Sequence, residues 1–389
     1  MLKRDSSLIV LTVLTFIVSI VIFSGILFLD IPTDIQGHIY GLKVVIRHHQ
    51  FPIPPLYYFL LYLFSGFSLD TIALNKSAIF LLSFSVAMKY YYSVKLTEQL
   101  VIKQKNTPLL NLLIWLLLFS APVLYNYRQM FIGRIPINLW HNSTTIFLIP
   151  FALLLFHHSL CFLKKSIPVK KDILLLVFFG FLNVLIKPSF LFAFLPAFII
   201  MAFVIHGYQS RMFKSSLIIV FTIGVFVLLE YYTIYKMDIL DSIRFKNDEK
   251  GIDIRPFFTM LYLSHNNIAA LILNSGVSLL FPFIYLGLFY KEMKKDTDIQ
   301  YTFWVFFFSL LIAVLVTEKG IMAYFGNFMW QLYVCNFILF LVLVKYGYEK
   351  VRILGVKNKK SIMIIAAFSL HLLSGLFYMF KLFYFKKYC

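Results

Sequence analysis

"LDIPTDIQGHIYGLKVVIRHHQFPIPPLYYFLLYLF" (residues 29–64) places two aspartates, three histidines and two bases between a strongly apolar segment and a proline-stiffened aromatic one. Whether its second half crosses a bilayer decides the fold. If 52–68 crosses, the next segment ends on the far side, and Lys95, Lys103 and Lys105 fall on the wrong face for the positive-inside rule. The charges therefore place 52–68 along or partly into the outer interface. Pro52, Pro54 and Pro55 at its start and the tyrosines that follow suit that position.

A bilayer is already required by composition. The 389 residues are 61% hydrophobic, 19% aromatic and only 14% charged. Soluble domains are about half apolar and a quarter charged. Apolar windows long enough to cross a hydrocarbon core recur along the chain. The first, 7–29, follows "MLKRDS", exceeds a signal-peptide core and lacks a small-residue cleavage site, so it reads as a retained span. Further spans are expected near 77–94, 108–126, 142–163, 172–187, 188–206, 215–236, 267–290, 300–317, 327–346 and 361–380. The fold class is thus all-α, a polytopic transmembrane helix bundle of about 11 spans in one domain, 1–389, with interfacial helices in a first outer loop at about 30–76.

Basic clusters at "LKR" (2–4), "VKLTEQLVIKQK" (94–105), "KKSIPVKK" (164–171), "KEMKK" (291–295) and "KYGYEKVRILGVKNKK" (345–360) are expected inside. The N-terminus then lies inside and the C-terminus outside. The net charge of +19 reads mainly as this orientation signal plus attraction to anionic lipid. With no soluble basic domain, no nucleic-acid partner is expected. Rich use of Lys, Asn, Phe and Tyr points to a bacterium, and the expected location is its inner membrane, with the active site facing outside.

Within the opening loop, "TDIQ" is a capping-box pattern with Thr33 as N-cap and Gln36 three residues on. Ile35, Ile39, Leu42 and Ile46 share one helical stripe, while Gln36, Lys43, Arg47 and Gln50 share another. An amphipathic helix is predicted, with Asp34 in its first turn and His38 one turn on. A carboxylate there can act as general base toward a hydroxyl; the competing reading is that Asp30 and Asp34 only cap the loop.

This plan of one span, an acid just beyond it, an interfacial helix and a "PPLYY" segment resembles the GT-C superfamily of integral membrane glycosyltransferases, in its polyprenyl-phosphate-sugar-dependent branch. "FFGFLNVLIKPSFLFAFLPAFII" (178–200) resembles a hairpin with a Lys-Pro at its outer turn. The resemblance covers roughly residues 1–210. It implies an essential acid at Asp34 or Asp30, a lipid-linked sugar donor, and a glycan, lipid or protein acceptor at the outer face. Unlike the metal-dependent members, no D-x-D directly follows the first span. No cofactor is therefore expected, although His38, His48, His49 and His141 leave a divalent metal open.

Substrate-binding candidates follow from the outer loops. Arg47 and His48 close the interfacial helix. "NYRQMFIGRIPINLWHNSTTIF" (126–147) offers Arg128 and Arg134 as phosphate forks, Trp140 as a sugar platform, and His141 and Asn142. Lys187 stands in a hairpin otherwise nearly free of charge; it either holds a lipid phosphate or snorkels to the surface. "TEKGIMAYFGNFMWQ" (317–331) contributes Glu318 and Asn327, in a pocket roof or a plain turn. Glu230 is an acid inside an apolar span, which by default marks function.

Other chemistries are set aside. Cys161, Cys335 and Cys389 have no paired spacing, and no P-loop, Rossmann fingerprint or G-x-S-x-G occurs. A polysaccharide polymerase or ligase shares the cationic outer loops. A transporter or flippase requires broken helices and mid-membrane charges, and a membrane acyltransferase requires a buried histidine, for which His371 is the one candidate.

Overall fold

The first helix, α1 (Leu2–Phe28), ends where Asp30 takes a left-handed backbone (φ 51°), a conformation that Asp and Asn tolerate better than other side chains. Gln36 then folds back onto Thr33, accepting its N–H at 3.1 Å and its hydroxyl at 2.6 Å, and donates to the Ile31 carbonyl at 2.8 Å. This local network starts α2 (Asp34–Arg47). Its buried stripe is Ile35, Ile39, Leu42 and Val45; the expected Ile46 is only partly buried, since a 3.6-residue period brings Val45 closer to the core line. Lys43 ties α2 to the next long helix through the Thr71 hydroxyl at 2.7 Å.

A computed structural model describes residues 2–100, 106–123, 134–237 and 249–386. In order they form α3 (Leu56–Phe64), α4 (Thr71–Thr97), α5 (Pro108–Leu117), α6 (Ser143–Leu163), α7 (Lys170–Ile186), α8 (Ser189–His206) and α9 (Arg211–Tyr235). There follow β1 (Ile252–Ile254), α10 (Phe258–Leu263), α11 (Ile268–Ser278), α12 (Leu280–Met293), α13 (Thr297–Leu315) and β2 (Val316–Glu318). Two 3₁₀ turns lead into α14 (Trp330–Leu354) and α15 (Lys359–Tyr384). The two strands pair antiparallel, Ile252 opposite Glu318. The architecture is an all-α bundle, compatible with an integral membrane protein.

Among the described residues eight helices are long and apolar enough to cross a membrane, or nine if α11 and α12, bent by 65°, count as one span. The expected count of about eleven is not confirmed, and three of the expected segments differ locally. The 108–126 segment is helical only to Leu117; Thr107 and Pro108 start it well, but Pro122 bars continuation. The 172–187 segment gives α7, of 17 residues, stopped by Pro188. The 267–290 segment breaks at Leu279. At nine residues, about 13 Å long, α3 is too short to cross.

α14 is the central helix. Every residue from Gln331 to Gly347 is buried, and a helix apolar all round belongs inside. About 78% of its hydrophobic window is covered, against 22% for α9, which turns Leu228, Leu229 and Phe221 outward. α4 packs between α1 and α6, and α8 packs against α13 and α14.

A buried strap of non-helical backbone, 118–123 and 134–142, threads this core. Such backbone survives in an apolar interior only if its polar groups find partners. Asn138 donates to the Leu117 and Ser120 carbonyls (2.7 and 2.9 Å) and accepts from Lys89 at 2.7 Å. Asn336 donates to the Ile135 and Pro136 carbonyls, and Ser278 accepts the Ile135 N–H. His371 accepts from the Phe281 N–H through Nε2 and donates from Nδ1 to the Ala121 carbonyl at 2.8 Å. Both of its nitrogens are thus engaged in structure. Gly375 on α15 presses against the Phe119 carbonyl, where a Cβ finds no room. Gly375→Ala is expected to destabilise the bundle by more than about 3 kcal/mol, beyond ordinary overpacking because the obstacle is backbone. Detergent-solubilised variant that elutes as a monodisperse peak with wild-type melting temperature contradicts this.

Candidate functional site

Pro188 forces the preceding residue out of helical space, and Lys187 is extended (φ −176°, ψ 114°) at the α7–α8 turn. This swings its side chain across to the start of α6. There Nζ donates to Thr145 Oγ1 at 3.1 Å, Thr144 Oγ1 at 3.3 Å and Asn142 Oδ1 at 3.4 Å, and lies 4.5 Å from the Trp330 ring centroid. Asn142 is the N-cap of α6. Its Oδ1 accepts the Thr145 N–H at 3.0 Å, which leaves Nδ2 to donate to Asp34 Oδ2 at 3.0 Å. The capping requirement of one helix therefore fixes which end of the amide meets the aspartate.

A second branch leaves Trp330. Its Nε1 donates to Asn327 Oδ1 at 3.4 Å, Asn327 donates to Glu318 Oε2, and Glu318 Oε1 accepts from the Tyr235 hydroxyl at 2.5 Å. His141 packs its ring on Trp330 at 5.8 Å. Five distant segments thus meet in one polar cluster: α2, the α6 entrance, the α7–α8 turn, the end of α9 and the stretch from β2 to the start of α14.

Electrostatics there are strained. Lys187 is half-buried beside the positive end of α6, and burial pulls it down to about 7, opposed by the attraction of Asp34 and Glu318. His141 is held down at about 3, first by burial and then by Lys187. It is neutral near pH 7, so it meets Trp330 as an uncharged ring and not as a cation. Asp34 itself is exposed, with one carboxylate oxygen held by Asn142.

Of the residues singled out in the sequence, Asp34, His141, Asn142, Lys187, Glu318 and Asn327 come together. His38 lies one turn along α2, where Nδ1 pairs with the Tyr58 hydroxyl at 2.6 Å. Asp30 is exposed at the turn after α1. Arg47 and His48 are exposed at the far end of α2, about 20 Å along the helix from Asp34, and are not part of the cluster. Two expectations are corrected. Trp140 is no sugar platform: it is buried between Phe23 and Phe119, with ring centroids at 5.8 and 5.9 Å, and the aromatic of the cluster is Trp330. Arg134 is fully buried in the strap and donates to the Val123 carbonyl at 3.3 Å. Arg128 lies outside the described residues. Thr144, Thr145 and Tyr235 were not singled out, because hydroxyl side chains at span ends are too common to signal a site.

Among the described residues no three His, Cys, Asp or Glu side chains gather as a metal site. Chemically, the cluster offers an exposed carboxylate and, one amide away, a cation beside a helix N-terminus and an aromatic face. Fold and site together define an α-helical, membrane-type bundle with a polar mouth at one end. No protein family, curated protein or solved structure matches the chain.

Proposed function

We propose that the protein is an integral membrane glycosyltransferase that moves a sugar from a polyprenyl-phosphate-linked donor to a glycan, lipid or protein acceptor, at the outer face of a bacterial inner membrane. The observation that carries this reading is the Asp34–Asn142–Lys187 chain, which holds a base and a phosphate-binding cation on either side of one amide. Asp34 takes the proton of the acceptor hydroxyl, whose oxygen attacks the anomeric carbon. The bond from that carbon to the phosphate oxygen breaks, and its electron pair leaves on the phosphate, met by Lys187 and the Thr144 and Thr145 hydroxyls. One displacement inverts the anomeric centre.

The test is transfer by purified protein in lipid vesicles, with labelled polyprenyl-phosphate sugars and a mixed acceptor fraction. Labelled product and free polyprenyl phosphate are expected in equal amounts. Silence with every donor rejects the reading.

A second reading, transport of lipid-linked glycans, is favoured by the short α5 running into buried non-helical backbone, the 65° break between α11 and α12 and the buried Lys89. Broken helices and core charges are what transporters use. Passage of labelled lipid-linked glycan across vesicles, without change in the glycan, distinguishes it from transfer.

A further inference from the structure

Far from the polar cluster, α12 and α13 are joined by a turn of only three residues, 294–296, yet they splay apart. α12 packs on α15 and α14, and α13 on α8 and α14, with little direct contact between the two. The gap is a wedge of about 490 Å³. Tyr290 on α12 and Trp304 and Phe307 on α13 form its open rim, 37–55% exposed. Met293 and Ile299 are buried and close its narrow end beside the turn. Trp304 stacks on Phe308 at 5.8 Å and meets Phe307 edge-on at 5.6 Å, which fixes one wall. A lateral, apolar slot of this kind takes a hydrocarbon chain.

The turn supplies the other half of an amphipathic site. From it α13 runs 19 residues to β2, about 28 Å, and β2 carries Glu318 of the polar cluster. That is close to the thickness of a bilayer core, so the turn lies at the interface opposite the polar mouth. Lys291, Lys294 and Lys295 are exposed there. The nearby acids are already engaged: Glu292 by Lys350, Asp296 by the α13 N-terminus and the Tyr346 hydroxyl, and Asp298 by Lys164. Among the described residues no carboxylate pairs with the three lysines. Lys294 is the one charged side chain lining the wedge; its ammonium lies 5.8 Å from the Tyr290 ring centroid, and Gln300 Nε2 holds its carbonyl at 2.7 Å. An uncompensated cation at the water end of an apolar slot complements a lipid whose phosphate keeps its net charge. A zwitterionic headgroup brings its own ammonium toward the lysines and gains less.

We infer that the α12–α13 wedge is a binding site for an anionic phospholipid of the leaflet opposite the polar mouth, with Lys294 on the phosphate, Lys291 and Lys295 flanking it, and one acyl chain against Tyr290, Trp304 and Phe307. This needs only a membrane and stands apart from the sugar-transfer reading. Trp304 reports from inside the wedge, about 10 Å along α13 from its start. The protein is reconstituted in phosphatidylcholine vesicles with increasing fractions of chain-brominated phosphatidylglycerol or chain-brominated phosphatidylcholine. The Trp304 signal is the difference in fluorescence between wild type and Trp304→Phe. Brominated phosphatidylglycerol is expected to quench it at a mole fraction about fivefold lower, the worth of one lysine near an anionic lipid. Lys294→Gln removes this preference at an unchanged melting temperature, whereas Lys357→Gln, on the exposed α14–α15 turn, keeps it. Equal quenching of wild type by the two lipids overturns the headgroup recognition. Equal loss in the two lysine variants reduces it to diffuse surface charge and rejects the site.

Discussion

Asp34→Asn is expected to lower sugar transfer at saturating donor by about 10²- to 10⁴-fold, the usual contribution of a positioned general base; loss of its charge also lowers Lys187 further, so donor binding weakens near pH 7. Asparagine preserves the shape, and its carbonyl still accepts from Asn142 Nδ2, so α2 keeps its anchor. The position is exposed, and surface changes of this kind move stability by about 0.5 kcal/mol or less. The loss therefore shows in turnover at saturating donor, as expected for a group that takes the proton. Asp30→Asn is the internal control. Asp30 turns the chain with a left-handed backbone that asparagine also adopts, so full activity is expected there. Initial rates and donor titrations on both variants decide the matter, and full transfer by Asp34→Asn removes Asp34 as the base.

Lys187→Met is expected to cost about 10- to 100-fold in kcat/KM for the donor, the worth of a hydrogen bond to a charged group. Its pH dependence is more specific. With Lys187 pulled down to about 7 by burial, the ammonium fraction of the free protein falls as pH rises through 7, and kcat/KM falls with it. Bound phosphate restores the proton, so kcat holds to higher pH. The variant loses this limb. Stability runs the other way. The folded lysine titrates below its unfolded value of about 10.4, so the unfolded chain binds more protons between these values. The contribution of Lys187 to stability therefore rises with pH from about 7 to about 10, and Lys187→Met flattens that rise. A wild-type kcat/KM flat from pH 6 to 9 contradicts the assignment.

Local features were legible in the sequence, and long-range ones were not. The capping box at Thr33, the amphipathic face of α2 and the failure of 52–68 to cross follow from near neighbours and charge placement. The Lys187-Pro188 turn between 172–187 and 188–206 was legible too, whereas the span expected over 108–126 ran through Pro122 and ends at Leu117. Which tryptophan faces the cluster did not follow: Trp140 and Trp330 both open apolar segments beside polar residues, and only packing buries the first against Phe23 and Phe119. Arg134 misled for the same reason, since an arginine between two apolar segments reads as a surface base until a strap of buried carbonyls needs donors. The meeting of Asp34 with Asn142, 108 residues apart, depends on how α2 and α6 stack and leaves no periodic trace.

The strap also sets an order of events in biogenesis. The Ala121 carbonyl waits for His371, 250 residues later in the chain, and Pro122 waits for Ser374. At about 5–20 residues per second, roughly 10 to 50 s of synthesis separate a carbonyl from its donor. Until α15 arrives, the Ala121 and Pro122 carbonyls lack these donors. The polar mouth, with Asp34, Asn142 and Lys187 early in the chain, is completed only once α15 has been made.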